Sequence, residues 1–99
     1  MFLLLSKYIK PLDEVERLLP AHRAFLDRFY REGKLVFSGE REPRTGGVIL
    51  ADVDSELEAM KIVVEDPFFS EKVAEFELIR FDVDRSDPRF SAFVQGAAA

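Results

Sequence analysis

Apolar residues along this chain switch between two periods. Phe2 to Ile9 is an apolar run ended by Pro11 and predicts a first strand. From Leu12 to about Glu32, Val15, Leu18, Phe25 and Phe29 recur at helical spacing, and Gly33 stands where a helix ends in the left-handed conformation. Pro20 lacks an N–H and crowds the preceding turn, so a kink or a two-part helix is expected there. Lys34 to Glu42 and Gly47 to Val53 read as two strands of a hairpin around Pro43-Arg44-Thr45-Gly46. Ser55 and Glu58 have capping-box spacing, with Asp54 a rival cap. They open a second helix expected to turn Leu57, Met60, Val63 and Val64 inward until Pro67 stops it. A fourth strand from about Ala74 to Val83 completes the order β-α-β-β-α-β, that of a ferredoxin-like α+β fold with an antiparallel sheet.

In that fold the helices cover one face of the sheet, yet the first three strands are apolar on both. Phe2 and Leu4 alternate with Leu3 and Leu5, Leu35 and Phe37 flank Val36, and Val48 and Leu50 flank Ile49. A solvated face should be polar at every second position. The uncovered face therefore calls for a second copy of the chain, in a homodimer or higher oligomer. The competing cover is the polar extension from Asp84 to Gln95, with Phe90, Phe93 and Val94.

Composition narrows the picture. A chain of 99 residues that is 47% hydrophobic forms one domain, residues 1–99, with 84–99 an extension and a frayed Gly96-Ala97-Ala98-Ala99 tail. There is no cysteine, which excludes disulfides, a thiolate nucleophile and thiolate metal ligation, and favours a cytoplasmic setting. Phe2 to Leu5 is too short for a signal segment or a membrane span. Net charge is −5 and the basic residues are scattered, so neither nucleic acid nor membrane is the expected partner.

The candidate chemistry begins with the sole histidine. His22 occupies a position in the first helix where the apolar stripe asks for Leu. An imidazole placed beside Phe25 needs a compensating partner. Asp66, ahead of Pro67 and Phe68, supplies a carboxylate at the end of the second helix, and both helices lie on one face of the sheet. Such a pair fixes the tautomer and makes a general base or proton shuttle without metal or cofactor. Ser38-Gly39 adds a hydroxyl and a close backbone approach for a small-molecule ligand, with Phe25, Pro67 and Phe68 as apolar walls. Arg41 and Arg44 are further anion-attracting candidates.

The layout Pro20-Ala21-His22 with Phe25-Leu26, then Gly33-Lys34-Leu35, Ser38-Gly39, Gly46-Gly47 and Glu65-Asp66-Pro67-Phe68 resembles the YciI-like, or YCII-related domain, proteins. The resemblance implies a dimeric α+β barrel, two sheets facing each other around a His–Asp pocket, with the catalytic pair carried onto His22 and Asp66. One branch of that family dehydrochlorinates a chlorinated hydroxyquinol. Together these readings predict a cofactor-independent enzyme, a lyase or isomerase acting on a small aromatic or anionic metabolite by proton abstraction, isomerisation or elimination. The alternative is a non-catalytic small-molecule-binding or interaction module of the same fold. On the apolar stripe alone, His22→Leu is expected to stabilise the protein.

Overall fold

The alternation along the first strand sorts the fold into layers. A computed structural model describes residues 1–94, so the tail Gly96 to Ala99 lies outside the described residues. Strand β1 (Phe2–Tyr8) buries Phe2, Leu4 and Ser6, while Leu3 and Leu5 are half-buried and Lys7 is exposed. On one side of it runs β3 (Gly47–Ala51), with Leu4 opposite Ile49; on the other runs β4 (Ala74–Arg80), with Ser6 opposite Phe76. The remaining strand, β2 (Leu35–Glu40), pairs with the far side of β3, giving an antiparallel sheet of order β2-β3-β1-β4.

A register shift between Leu35 and Phe37 interrupts β2. Leu35 is buried opposite Ala51, but Phe37 lies opposite Leu50 on the outer face, 45% exposed, and Ser38 faces the helix layer opposite Ile49. Strict alternation would have put Phe37 inside and Ser38 outside.

The first helical region divides at Leu18 into α1 (Leu12–Arg17) and α2 (Leu19–Arg31). The break falls just ahead of Pro20. Proline occupies the first turn of α2, where its missing N–H has no partner to lose, and so begins a segment instead of kinking one. At the other end Gly33 adopts φ +73°, its N–H bonds Tyr30 O at 3.0 Å and the Lys34 N–H bonds Phe29 O at 3.0 Å, a Schellman closure.

Helix α3 (Glu56–Glu65) starts at Ser55, whose side chain accepts from the Glu58 N–H at 3.2 Å. It buries Ala59, Ile62 and Val63. Leu57, Met60 and Val64 point outward, 66%, 36% and 48% exposed, against the inward orientation expected for them. The helix carries more apolar positions than one face can hold, and packing selects the set built on small Ala59, which lets the helix sit close to the sheet. Phe2, Leu4, Leu35, Ile49 and Ala51 from the sheet meet Phe25, Phe29, Ala59, Ile62 and Val63 from the helices in one core cluster.

The sheet is not closed into a barrel, which corrects the dimeric α+β barrel implied by the resemblance. It is an open sheet with β2 and β4 at its edges. Four strands are too few to close on themselves, since even small barrels use about eight. The architecture is thus α+β with an open antiparallel sheet and helices packed on one face. Among the described residues no helix is long and apolar enough to cross a membrane.

The hairpin between β2 and β3 approaches β1 so closely that a Cβ on Gly46 would fall 1.8 Å from Ser6 O, whereas one on Gly39 would meet open space. Gly46→Ala is therefore expected to destabilise the fold by about 2–4 kcal/mol and Gly39→Ala by less than about 0.5 kcal/mol, read from denaturant midpoints at constant slope.

Candidate active site

The site is assembled at the end of α3. Asp66 is extended (φ −72°, ψ 122°), as the residue before a proline prefers, and it caps the short helix α4 (Pro67–Ser70). Its Oδ1 accepts from the Phe68 N–H at 2.9 Å, with Pro67 in the first turn where no N–H is needed. His22, in the first turn of α2, brings its Nδ1 to 2.9 Å from that same Oδ1. The imidazole lies flat on the Phe68 ring, centroids 4.1 Å apart and planes 8° from parallel, with Phe25 at 5.7 Å. Aspartate and phenyl ring together fix both the position and the rotation of the imidazole.

A carboxylate only accepts hydrogen bonds, so the contact requires a proton on Nδ1 and leaves the lone pair on Nε2. No described residue bonds Nε2. The Asp66 side chain is 1% exposed and the His22 side chain 17%, and both border a cavity of about 170 Å³. The second oxygen, Asp66 Oδ2, is buried without a partner among the described residues.

This cavity lies between α2 and the sheet. Leu19, His22, Arg23 and Leu26 present one face of α2 to it, and Ser6, Tyr8, Ser38 and Glu40 border it from the sheet. Of the residues singled out in the sequence, His22, Asp66, Ser38, Gly39 and Phe68 come together around it. Phe25 and Pro67 do not line it; Phe25 is buried in the core against Phe29, behind the imidazole. The Ser38 hydroxyl is not free but bonded to Tyr30 Oη at 2.8 Å. Nor is Arg44 available for an anion, since it pairs with Glu16 at 3.0 Å and Glu40 at 3.1 Å.

Sequence reasoning passed over Ser6, Tyr8, Arg23 and Glu40. The inward alternation of Phe2, Leu4, Ser6 and Tyr8 carried a signal for two of them, because a polar residue at an inward strand position marks either a satisfied hydroxyl or a site. Ser6 is in part the former: its Oγ accepts from the Gly47 N–H at 2.7 Å. Tyr8 stands edge-on to Phe68 at 5.9 Å, and burial, then the negative charge of Glu40, push its phenol above the ordinary tyrosine range, with Arg44 opposing. It remains a neutral O–H donor at neutral pH. Among the described residues no group of three or more carboxylates and imidazoles is gathered as for a metal ion.

With this geometry in place, comparison with known proteins identifies the chain. The YCII-related domain family matches residues 1–82, and the protein belongs to that family. No curated protein matches the sequence. Among solved structures it is similar to 5-chloro-2-hydroxyhydroquinone dehydrochlorinase from Burkholderia phenoliruptrix AC1100, in complex with 2,5-dihydroxybenzoquinone. The two share 20% identity over 82% of this chain and 93% of that one, with a TM-score of 0.68, a likeness of fold.

The Asp66 contacts reverse the sign expected for His22→Leu. Leucine would complete the apolar stripe but leave a buried carboxylate with one amide donor, so a loss of about 1–3 kcal/mol is expected in place of a gain. Asp66→Ala, which removes the helix cap as well, should lose about 2–4 kcal/mol, while Asp66→Asn keeps a capping oxygen and should lose less. Denaturant midpoints of the three variants check the order.

Proposed function

We propose that this protein is a cofactor-independent enzyme that moves a proton on a small planar metabolite. His22 Nε2 is the general base, and Asp66 holds the Nδ1–H tautomer and stabilises the imidazolium that forms. The observation that carries this reading is the 2.9 Å bond from Nδ1 to a buried carboxylate, with Nε2 left unbonded on a residue that borders the cavity. A proton leaves a C–H or O–H of the substrate for Nε2, and the electron pair left behind either shifts, giving isomerisation, or expels a leaving group, giving elimination. The imidazolium then returns its proton to product or solvent. Phe68 forms an apolar wall, and the Ser38-Gly39 segment meets the ligand from the sheet, with Phe25 and Pro67 supporting from behind. The structurally similar dehydrochlorinase, with its bound quinone, favours a ring-shaped, oxygen-rich substrate among the small molecules this cavity would admit.

The test is turnover of a panel of hydroxylated and chlorinated quinols, followed as halide release or as exchange of ring hydrogen for solvent deuterium. His22→Ala should lower the rate by about a hundredfold or more and Asp66→Asn by a smaller factor, with the fold retained. Because the chain has a single histidine, its ring proton resonance reports the titration of the base directly. Ligand binding that survives His22→Ala, with no turnover of any panel member by the wild type, would instead mark a binding module.

The proposal includes a homodimer formed through the outer face of the sheet. Leu3, Leu5, Val48 and Leu50 on that face are half-buried at best, and Phe37 and Ile79 are 45% and 39% exposed. The C-terminal extension contributes Phe90 and Phe93 to a cavity shared with Phe81, Val36, Phe37 and Leu50, at one corner of the face, and leaves Leu3, Leu5 and Val48 outside it. Sedimentation at micromolar concentration should show a dimer that Leu5→Arg converts to a folded monomer; a monomeric wild type overturns the assignment.

A further inference from the structure

Four charged side chains line the cavity, and three of them are already engaged. His22 and Asp66 hold each other, and Glu40 is held by Arg44 at 3.1 Å. The exposed side chain of Arg23 makes no ion pair or hydrogen bond with any described residue. It follows His22 on α2 and shares the cavity-facing side of that helix with Leu19 and Leu26, one turn away in either direction. A guanidinium at a cavity wall with no carboxylate to neutralise it, in a chain of net charge −5, is a local reversal of the protein's overall field.

We infer that Arg23 is the anion-docking residue of this site and that the substrate is a planar acid ionised at neutral pH. This rests on the reading of the cavity as the substrate site and adds to it the class of molecule bound. The planar fork of a guanidinium suits two oxygens that share one charge, as in a carboxylate or the enolate of a hydroxyquinone. An anion docked on Arg23 occupies the cavity that His22 also borders, so its adjacent ring atoms are delivered to Nε2. The same guanidinium stabilises negative charge as the proton departs, which makes that proton easier to remove. From the sheet, Tyr8 offers a neutral O–H to an oxygen of the ring.

Calorimetric titration of the full chain separates the possibilities with three probes: 2,5-dihydroxybenzoquinone as an enolate, 4-hydroxybenzoate as a carboxylate, and 4-hydroxybenzamide as a neutral mimic of the latter. At least one anion should bind the wild type, more weakly as salt rises and more tightly than the amide. Arg23→Gln should weaken that anion by about tenfold or more and leave the amide unchanged, with Arg23→Lys between the two. Which anion responds tells carboxylate from enolate. The assignment is overturned by equal anion affinity in wild type and Arg23→Gln, by equal weakening of all three probes, or by a wild type that binds neither anion. Turnover in His22→Ala keeps the two ideas apart. Normal anion binding in Arg23→Gln alongside lost turnover in His22→Ala removes the docking role and leaves the base. Lost anion binding with turnover unaffected by His22→Ala does the reverse.

Discussion

Asp66 Oδ1 accepts from the Phe68 amide and from the His22 imidazole, each at 2.9 Å, inside a side chain that is 1% exposed. A carboxylate this deeply buried is tolerated only when donors replace its lost water, and here they come from two separate segments. The first is its own chain, where the aspartate ends α3 and caps α4. The second is α2, reached from forty-four residues earlier in sequence. One oxygen thereby pins the end of one helix, the start of another and the flank of a third, and the imidazole inherits that rigidity. Its stacking on Phe68 follows from the same turn, because the residue whose amide caps the aspartate also supplies the ring beneath the histidine.

The cavity exists because neighbouring elements stop short of filling it. The break at Leu18 starts α2 in time to place His22 in its first turn, and the spacing along α2 then sends Phe25 and Phe29 into the core while Leu19, Arg23 and Leu26 border the space. On the sheet side the irregularity in β2 exchanges Phe37 for Ser38, putting a small polar side chain where a phenyl ring would have closed the cavity. The result is a small site with apolar walls, an imidazole nitrogen without a partner and a guanidinium beside it. In so small a space apolar contact alone discriminates weakly.

The opposite face of the sheet follows a different constraint. An open antiparallel sheet needs one apolar face for its helices, and the apolar residues on the other face of β1 and β3 are only half-buried in the isolated chain. Leu57, Met60 and Val64 on α3 are a second unpacked apolar set. Both are surfaces on which hydrophobic burial is available but not fully realised.

Local chemistry made several parts of this protein legible from the sequence. Gly33 as a helix terminus, Ser55 as a cap, the hairpin around Gly46 and the extended Asp66 before Pro67 each depend on a few adjacent residues, and each occurs where the sequence puts it. His22 was visible as a polar residue in an apolar stripe, and Asp66 as the carboxylate able to reach it. Tertiary structure decided the rest. Which apolar residues of α3 face inward depended on close packing around Ala59; which side Ser38 faces depended on a register shift that only pairing with β3 defines. Whether the sheet closes depended on strand number and edges, and which charged side chain at the cavity is left unpaired depended on where the carboxylates of other segments fall. Periodicity reports what a residue does relative to its own helix or strand. What it meets on the other side is set by chain segments remote in sequence, and that information is carried by the packed structure alone.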